Sequence, residues 1–342
     1  YGIAAISAFQ GHNFHNIVPP APYFKDHPEY FALREGQRAW DNAQICLSHP
    51  DVRRMAVESA RQFFDKNPQA LSFSLCPDDC EGFCECASCL GLGPTVTDQL
   101  LAFVNGVARQ VQQSHPGKLV HTYAYSVHTE PPRVIDRVEE NVVIILCRIG
   151  DWGAFNHPLT SDRCTSPAVR AMIQEWLAVA PHLVMYEYYA GHYRWMVPWD
   201  VTDVLAADVA YYATFTHSGR RIEGSEFENH PQWATGGLNM YAYARLLWDA
   251  TEDVNDIREG WYRDLFGEAG EAVRTYFGAA RAAAHRLDGE CFTGEPAAVT
   301  TVFTPDVLET MARELARART LADSDAVRAR IDYLAWGLRY TQ

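Results

Sequence analysis

Residues 71–79 read LSFSLCPDD, a short apolar stretch that ends in two acids, and three later stretches share this plan. They read LVHTYAYSVHTE at 119–130, VVIILCRIGDW at 142–152 and LVMYEYYAGHYRW at 183–195. Each begins as an apolar, β-rich run and ends in acids, histidine, arginine or aromatic residues. The pattern predicts buried strands whose C-terminal ends carry polar side chains.

Strand-like runs alternate along the chain with amphipathic stretches that predict helices. We predict strands at residues 2–7, 71–76, 119–125, 142–148, 183–188, 209–215 and 221–224, and helices at 51–64, 97–113, 167–179, 201–207 and 238–248. Such alternation indicates parallel pairing, which both a doubly wound sheet and a closed barrel satisfy. The polar strand ends favour an α/β fold of the (β/α)8 TIM-barrel type, because a barrel gathers those ends on one face. The strand count falls short of eight, so one or two strands are unrecognised or precede Tyr1.

The pattern changes after Thr251, where no further strand-like run occurs. Helices are predicted at residues 254–265, 268–287 and 305–340, and the loop at 288–303 is the clearest boundary. We therefore expect a TIM-barrel domain over residues 1–250 and a C-terminal helical region over 251–342 that packs on the barrel. Since Tyr1 follows neither an initiator Met nor a signal peptide, we expect the chain to be processed or truncated there.

Composition limits the classes of partner. The net charge of -14 and the scattered basic residues argue against nucleic acid, and no apolar run is long enough to span a bilayer. The chain has 9 Trp, 17 Tyr and 16 Phe, which can supply flat surfaces for sugar rings as well as core. A carbohydrate substrate therefore fits the composition, and the sequence gives no oligomeric state.

The cysteines form a local cluster, since five of the nine lie between Cys76 and Cys89. A structural zinc could be held by Cys80, Cys84, Cys86 and Cys89, with Cys76, Cys147 or a His as other sources of the fourth ligand. Disulfides are an alternative, in which Cys46, Cys147, Cys164 and Cys291 pair with members of the cluster, and inert reduced thiols are a third. The number of cysteines predicts an exported protein with disulfides or a metal knuckle.

Several ordered blocks resemble a known family. They are His12-Asn13-Phe14, Val18-Pro19-Pro20, HPEYFALREGQR at 27–38, ICLSHPDVR at 45–53, FSLCPDDCEGFCECASC at 73–89, FVNGVA at 103–108, AYSVHTEPP at 124–132 and YARLLWD at 243–249. Together they resemble the family known as domain of unknown function 4838, over roughly residues 9–276.

That resemblance implies a glycoside-hydrolase-like TIM barrel, distantly similar to hexosaminidases and α-glucuronidases and usual in exported bacterial proteins. The chain departs from the family pattern at two places. Pro77-Asp78-Asp79 stands where the family usually has Asn-Asp-Asn, and Tyr186-Glu187-Tyr188 stands where it has an aromatic residue, Asp and Tyr. The acid at Asp78 is kept, and Glu187 reaches one methylene further.

Glycosidic cleavage uses a pair of carboxyl groups, one of which protonates the leaving oxygen. Asp78, Glu187 and Glu226 are the catalytic candidates, with Asp78 paired with Glu187 or Glu226, and no cofactor is expected for catalysis. The alternatives are that Asp78 and Asp79 cap a turn or that adjacent acids hold a divalent cation. Side chains from the same strand-end loops are expected to bind substrate: His12, His15, Asp79, Tyr125, Arg148, Trp152, Tyr189, His192 and Trp195.

Arg148 allows two interpretations, because a guanidinium can clamp the carboxylate of an acidic sugar or pair with an acid of the protein. The function also has alternatives to a glycosidase. One is a non-catalytic carbohydrate-binding barrel, and the other is a metal-dependent polysaccharide lyase or hydrolase.

Overall fold

A computed structural model describes residues 11–149, 157–189, 197–228, 233–286, 291 and 296–341. The chain divides into two compact units. Unit 1 comprises Tyr1–Cys147, Met172–Met185 and Thr216–Gly224, and unit 2 comprises Arg148–Ala171, Tyr186–Phe215 and Ser225–Gln342.

Eight strands are formed by the described residues. They are β1 (Ala32–Arg34), β2 (Gln37–Ala39), β3 (Ser72–Ser74), β4 (Leu119–Ala124), β5 (Val142–Cys147), β6 (His182–Glu187), β7 (Thr216–His217) and β8 (Arg220–Phe227). One sheet has the order β3-β4-β5-β6-β8-β7, in which β3, β4 and β5 pair in parallel and β7 pairs antiparallel to β8. This confirms the predicted α/β class with a parallel sheet.

The described helices are more numerous than the strands. They are α1 (Phe14–Ile17), α2 (Pro20–Tyr23), α3 (Pro50–Lys66), α4 (Ala87–Leu90), α5 (Val96–Ser114), α6 (Ser166–Val179), α7 (Thr202–Thr214), α8 (Trp233–Trp248), α9 (Val254–Phe266), α10 (Gly270–His285), α11 (Pro296–Val302), α12 (Pro305–Leu321) and α13 (Asp325–Thr341). None of them combines the length and apolar character that crossing a bilayer requires.

In unit 1, helices α3 and α5 pack on each other and on the sheet. Helix α3 begins with Pro50 in its first turn, and helix α5 begins at a reciprocal cap, where the Thr95 hydroxyl accepts from the Asp98 N–H and donates to its carboxylate. Both helices bury a stripe of apolar residues at helical spacing. These helices thereby cover β3, β4 and β5.

Unit 2 is largely helical beyond its strand ends. Helix α8 packs on α7, α9 and α13, and α10 packs on α9 and α12. The predicted helix over 305–340 is two helices, α12 and α13, because Ser324 caps a new start through its bond from the Val327 N–H at 3.3 Å.

The strand predicted at 209–215 is wrong, because residues 209–214 belong to helix α7 and Phe215 is its C-cap. The run VAYYATF has a strand-like composition, yet the buried positions Leu205, Asp208, Val209 and Tyr212 recur at helical spacing. The alanines of this stretch also favour a helix. The strand predicted at 2–7 lies outside the described residues.

The hairpin of β1 and β2 was missed by the sequence analysis. Glu35 and Gly36 connect its strands with positive φ angles of 48° and 82°. Two consecutive residues of this kind form the type of turn that matches the twist of a hairpin, and a Gly at the second position is its signal. The hairpin lies in the segment that leads to Cys46.

Candidate functional site

Asp78 lies in unit 1, in the loop that follows β3. Its Oδ2 accepts a hydrogen bond from the backbone N–H of His15 at 3.0 Å and lies 3.3 Å from Nδ1 of the same residue. The Asp78 side chain keeps 20% of its surface exposed. Burial raises the pKa of Asp78, and the nearby charges of His15 and His12 oppose this effect without cancelling it. The carboxyl is therefore reachable from solvent and holds its proton to a higher pH than a free Asp carboxyl does.

His12 joins the same group of side chains. Its Nδ1 lies 2.5 Å from the Pro77 carbonyl, and its Nε2 lies 4.0 Å from Asp79 Oδ1. The His12 ring centroid is 5.4 Å from that of Tyr123 and 6.2 Å from that of Tyr125. The carbonyl must accept the Nδ1 proton, so Nε2 is the ring nitrogen that faces Asp79.

The structure thus brings together five residues that the sequence analysis singled out: Asp78, Asp79, His12, His15 and Tyr125. They come from two loops of unit 1 and from the end of β4. A short parallel bridge between His12 and Cys76 holds the two loops side by side.

Gln44 fixes the backbone of the Asp78 loop and was missed by the sequence analysis. Its buried side chain donates to the carbonyls of Asp78 at 2.7 Å and Cys80 at 2.8 Å, and accepts from the Asp78 N–H at 2.9 Å. Gly82 allows the close approach, because a Cβ at this position would lie 2.3 Å from the Asn42 carbonyl oxygen. An amide side chain far away in sequence carries no local signal of this role.

Four thiols, which we call the thiol cluster, meet next to this loop: Cys46, Cys84, Cys86 and Cys89. Their sulfur atoms all lie within 4.8 Å of one another. Cys80, predicted as a member, lies outside the cluster, and its sulfur is 3.1 Å from the Gln44 side-chain nitrogen. Cys46 is the fourth member instead, because the segment that contains β1, β2 and Cys46 packs next to the residues around Cys84. The spacing C-x-C-x-x-C identified the other three.

Hydrogen bonds between the sulfur atoms shift the pKa values of the thiol cluster. The pKa of Cys46 is lowered because Cys84 and Cys89 donate to its sulfur. The pKa of Cys84 is raised to about 11, chiefly by the same bond to Cys46.

Cys164 and Cys291 of unit 2 form a disulfide with each other. The sequence analysis considered both as partners of the cysteines between 76 and 89, and the structure corrects that pairing. The seven remaining cysteines are not part of this disulfide.

Glu187 belongs to unit 2 and has an environment quite unlike that of Asp78. Its side chain is 0% exposed, its Oε2 lies 3.0 Å from Arg148 Nε, and its Oε1 accepts from the Tyr212 hydroxyl. The contact with Arg148 is an ion pair and not an aligned hydrogen bond. A carboxyl sealed in this way cannot reach a sugar in this structure.

Asp208 completes the buried network around Arg148. It accepts from Arg148 at 2.8 Å, from the Tyr189 hydroxyl at 2.6 Å and from the Leu159 N–H at 2.5 Å. Burial raises the pKa of Glu187 to about 7, and Arg148 opposes the shift. Arg148 and Tyr189, predicted to bind substrate, are occupied in this network.

Glu187 and Glu226 differ in the side of the sheet that they face, and the alternation of side chains along a strand explains why. Arg148 N–H donates to Tyr186 O, and Glu228 N–H donates to Glu187 O, which fixes the register of these strand ends. Glu187 contacts helix α7, and Phe227 packs on Tyr243 of helix α8. Glu226 precedes Phe227 and therefore faces the opposite side of its strand.

Glu226 is partly buried, and burial alone raises its pKa. Among the described residues, no hydrogen bond or ion pair reaches its carboxyl group. It is thus a carboxyl with a raised pKa that makes no structural contact among the described residues.

Three residues predicted to bind substrate, Trp152, His192 and Trp195, lie outside the described residues, as do Asp151 and Tyr193. A shallow cavity of about 370 Å³ occurs elsewhere in unit 2. It is lined by His157, Pro158, Ser161, Arg163, Asp203, Val204 and His285. Because Asp203 already pairs with Arg258 at 2.7 Å, we assign this cavity no role in the chemistry.

Comparison with known proteins identifies the family. The profile of the domain of unknown function DUF4838 matches residues 1–278, and the chain belongs to this family. This confirms the resemblance recognised in the sequence. No curated protein sequence matches the chain.

Two solved structures are similar to the chain. A GH138 enzyme targeting pectin rhamnogalacturonan II has a TM-score of 0.49 and 9% identity over 84% of this chain and 41% of its own. CpGH84B has a TM-score of 0.41 and 8% identity over 84% of this chain and 51% of its own. The chain thus spans about half or less of the length of either protein.

Proposed function

We propose that the chain is a glycoside-hydrolase-like enzyme that cleaves a glycosidic bond in an oligo- or polysaccharide, with Asp78 as its general acid and base. The observation that carries this proposal is the state of the Asp78 carboxyl. It is reachable from solvent, it is held by His15 and by the loop that Gln44 fixes, and its pKa is raised by burial.

A raised pKa suits the chemistry, because a general acid must still hold its proton near the working pH. The surroundings also suit a sugar. The rings of Tyr125 and His12 stand beside the carboxyl loop, and Asp79 is 68% exposed next to them. Aromatic faces bind the apolar face of a sugar ring, and exposed polar groups bind its hydroxyls.

Glu226 is our second candidate for a catalytic carboxyl. It is partly buried, its pKa is raised, and its carboxyl group has no partner among the described residues. We do not propose Glu187 as a catalytic residue or Arg148 as a substrate-binding residue. Both are buried in one ion-pair network, and moving either toward a substrate would leave a buried charge without its partner.

A closed (β/α)8 barrel remains part of the proposal for the fold. Parallel pairing of β3, β4 and β5 and the alternation with helices support it. The parallel bridge between His12 and Cys76 adds a further parallel contact next to β3. The antiparallel pair of β7 and β8 is a departure from the regular barrel.

Export from the cytoplasm is also proposed, because the Cys164–Cys291 disulfide forms most readily in an oxidising compartment. The intact mass of the purified protein, measured before and after reduction and alkylation, tests whether this bond is present.

The function is tested by a substrate screen followed by matched variants. Hydrolysis is measured first on a panel of aryl glycosides and natural glycans. We expect Asp78→Asn and Glu226→Gln each to lower kcat/KM by about 100-fold or more. Glu81→Gln, an exposed acid of the Asp78 segment, is the control and should retain activity.

Two other results would reject the glycosidase proposal, and a third would reject its catalytic residues. Binding of a glycan without turnover would indicate the carbohydrate-binding alternative. Activity that EDTA abolishes and that Ca²⁺ or Mg²⁺, but not Zn²⁺, restores would indicate a metal-dependent lyase or hydrolase. Full activity in both carboxyl variants would remove Asp78 and Glu226 from the mechanism.

A further inference from the structure

The thiol cluster has the dimensions of a metal site. Cys46 Sγ lies 3.8 Å from Cys86 Sγ, 3.7 Å from Cys89 Sγ and 3.8 Å from Cys84 Sγ. Four sulfurs placed tetrahedrally around zinc, each about 2.3 Å from the ion, are about 3.8 Å from one another. A disulfide would need a sulfur–sulfur distance of about 2.05 Å.

The protein around the cluster supplies donors for thiolate sulfurs. The Leu33 N–H donates to Cys84 Sγ at 3.2 Å and the Cys89 N–H donates to Cys86 Sγ at 3.4 Å. The Arg38 guanidinium lies 3.7 Å from Cys84 Sγ. Zinc bound by four thiolates carries a net charge of about -2, which such N–H groups and a nearby cation stabilise.

We propose that Cys46, Cys84, Cys86 and Cys89 bind one structural zinc ion. Zinc fits better than a disulfide arrangement, because Cys46 is equally close to all three other sulfurs. The site is closed on the protein side, since Cys46, Cys84 and Cys89 are at most 3% exposed. Four protein ligands leave no open position on the ion, which is typical of structural and not of catalytic zinc.

The zinc has a structural task that the contacts define. It joins the segment that ends at Cys46 to the segment that contains Cys84, Cys86 and Cys89. Gln44, two residues before Cys46, holds the backbone of Asp78 and Cys80. The Gln44 N–H also donates to Gly82 O at 2.8 Å. Loss of the ion therefore loosens the Asp78 loop.

The experiment measures zinc in the protein purified under reducing conditions in chelator-free buffer. Native mass spectrometry and elemental analysis should find about one zinc per chain. Cys46→Ser and Cys86→Ser should each lose most of it. Cys80→Ser is the matched control, because Cys80 lies in the same segment and contacts Gln44 instead of the cluster. This variant should keep its zinc and its Tm.

A second measurement, on the wild-type protein, tests the proposal if the cysteine variants fail to fold. The wild-type protein, unfolded with chelator and refolded with Co²⁺, should show the thiolate charge-transfer and visible bands of tetrahedral cobalt. Wild-type protein without zinc, an intact-mass deficit that reveals a disulfide within the cluster, iron in place of zinc, or zinc lost equally from Cys80→Ser would each overturn the proposal. Because no substrate is involved, the result is independent of the proposed glycosidase activity.

Discussion

Asp78 in unit 1 and Glu187 in unit 2 are both acids at the end of a strand, and both have a raised pKa because of burial. Their partners differ. Asp78 is one-fifth exposed and touches a histidine, whereas Glu187 is fully buried against Arg148 and Tyr212. An acid at a strand end is therefore a candidate for chemistry only if its side chain is not enclosed by the helices that cover the sheet.

The largest effect on stability should follow from removal of Arg148. Arg148→Met leaves Glu187 and Asp208 buried without their cation, and we expect the free energy of unfolding to fall by about 3 to 5 kcal/mol. Urea denaturation at neutral pH measures the change. Arg109→Met is the matched control, because Arg109 is 57% exposed and pairs with Glu139 at the surface. It should cost less than about 1 kcal/mol. Equal effects in the two variants would show that the buried network adds nothing to stability.

The pH dependence of stability should depend on Glu187. Folded Glu187 keeps its proton up to about pH 7, whereas in the unfolded chain it ionises near about pH 4.3. The folded state therefore binds more protons between these values, and the free energy of unfolding falls as the pH rises through this window. The total effect is about 4 kcal/mol.

The Glu187→Gln variant lacks this ionisation. The difference between the free energies of unfolding of wild type and variant should therefore change by the same amount from about pH 4.5 to about pH 7.5. Burial lowers the pKa of His121 to about 4 and that of His128 to about 3. Acid therefore destabilises both proteins through these histidines, and the effect cancels in the difference. A difference that stays constant across the window would mean that Glu187 is ionised throughout.

The smallest effect on stability is expected at Asp78. Burial disfavours its charged form in the folded state, so Asp78→Asn removes an unfavourable charge together with the favourable pair to His15. We expect the free energy of unfolding at pH 7 to change by less than about 1 kcal/mol. Thermal unfolding with His15→Gln in parallel measures it. A loss above about 2 kcal/mol would identify Asp78 as a structural residue like Glu187.

Local patterns in the sequence were enough for the class of fold and for most of the sheet. The strands β4, β5 and β6 and helices α3 and α5 follow from runs of 6 to 19 residues whose period is clear. Helix α7 was misread at its end because tyrosine, valine and phenylalanine are typical of strands, and its helical face becomes evident only from the buried positions.

Contacts between distant segments could not be predicted in the same way. Cys46 joins the thiol cluster 38 residues before Cys84, and Gln44 reaches Asp78 across 34 residues. Contacts over such sequence separations produce no periodic pattern, so the sequence alone does not reveal them. The enclosure of Glu187 depends on Tyr212 of α7, a helix that had been assigned partly to a strand. The burial of this acid was therefore missed together with the helix.

In our proposal, Asp78 performs the chemistry and Glu187 stabilises the fold. The decisive experiment compares Asp78→Asn with Glu187→Gln, with kcat/KM on the best substrate and the free energy of unfolding determined on the same preparations. We predict that Asp78→Asn loses activity by about 100-fold or more and keeps its stability, while Glu187→Gln keeps activity and changes stability with pH. Full activity in folded Asp78→Asn, or loss of activity in stable Glu187→Gln, would contradict the proposal.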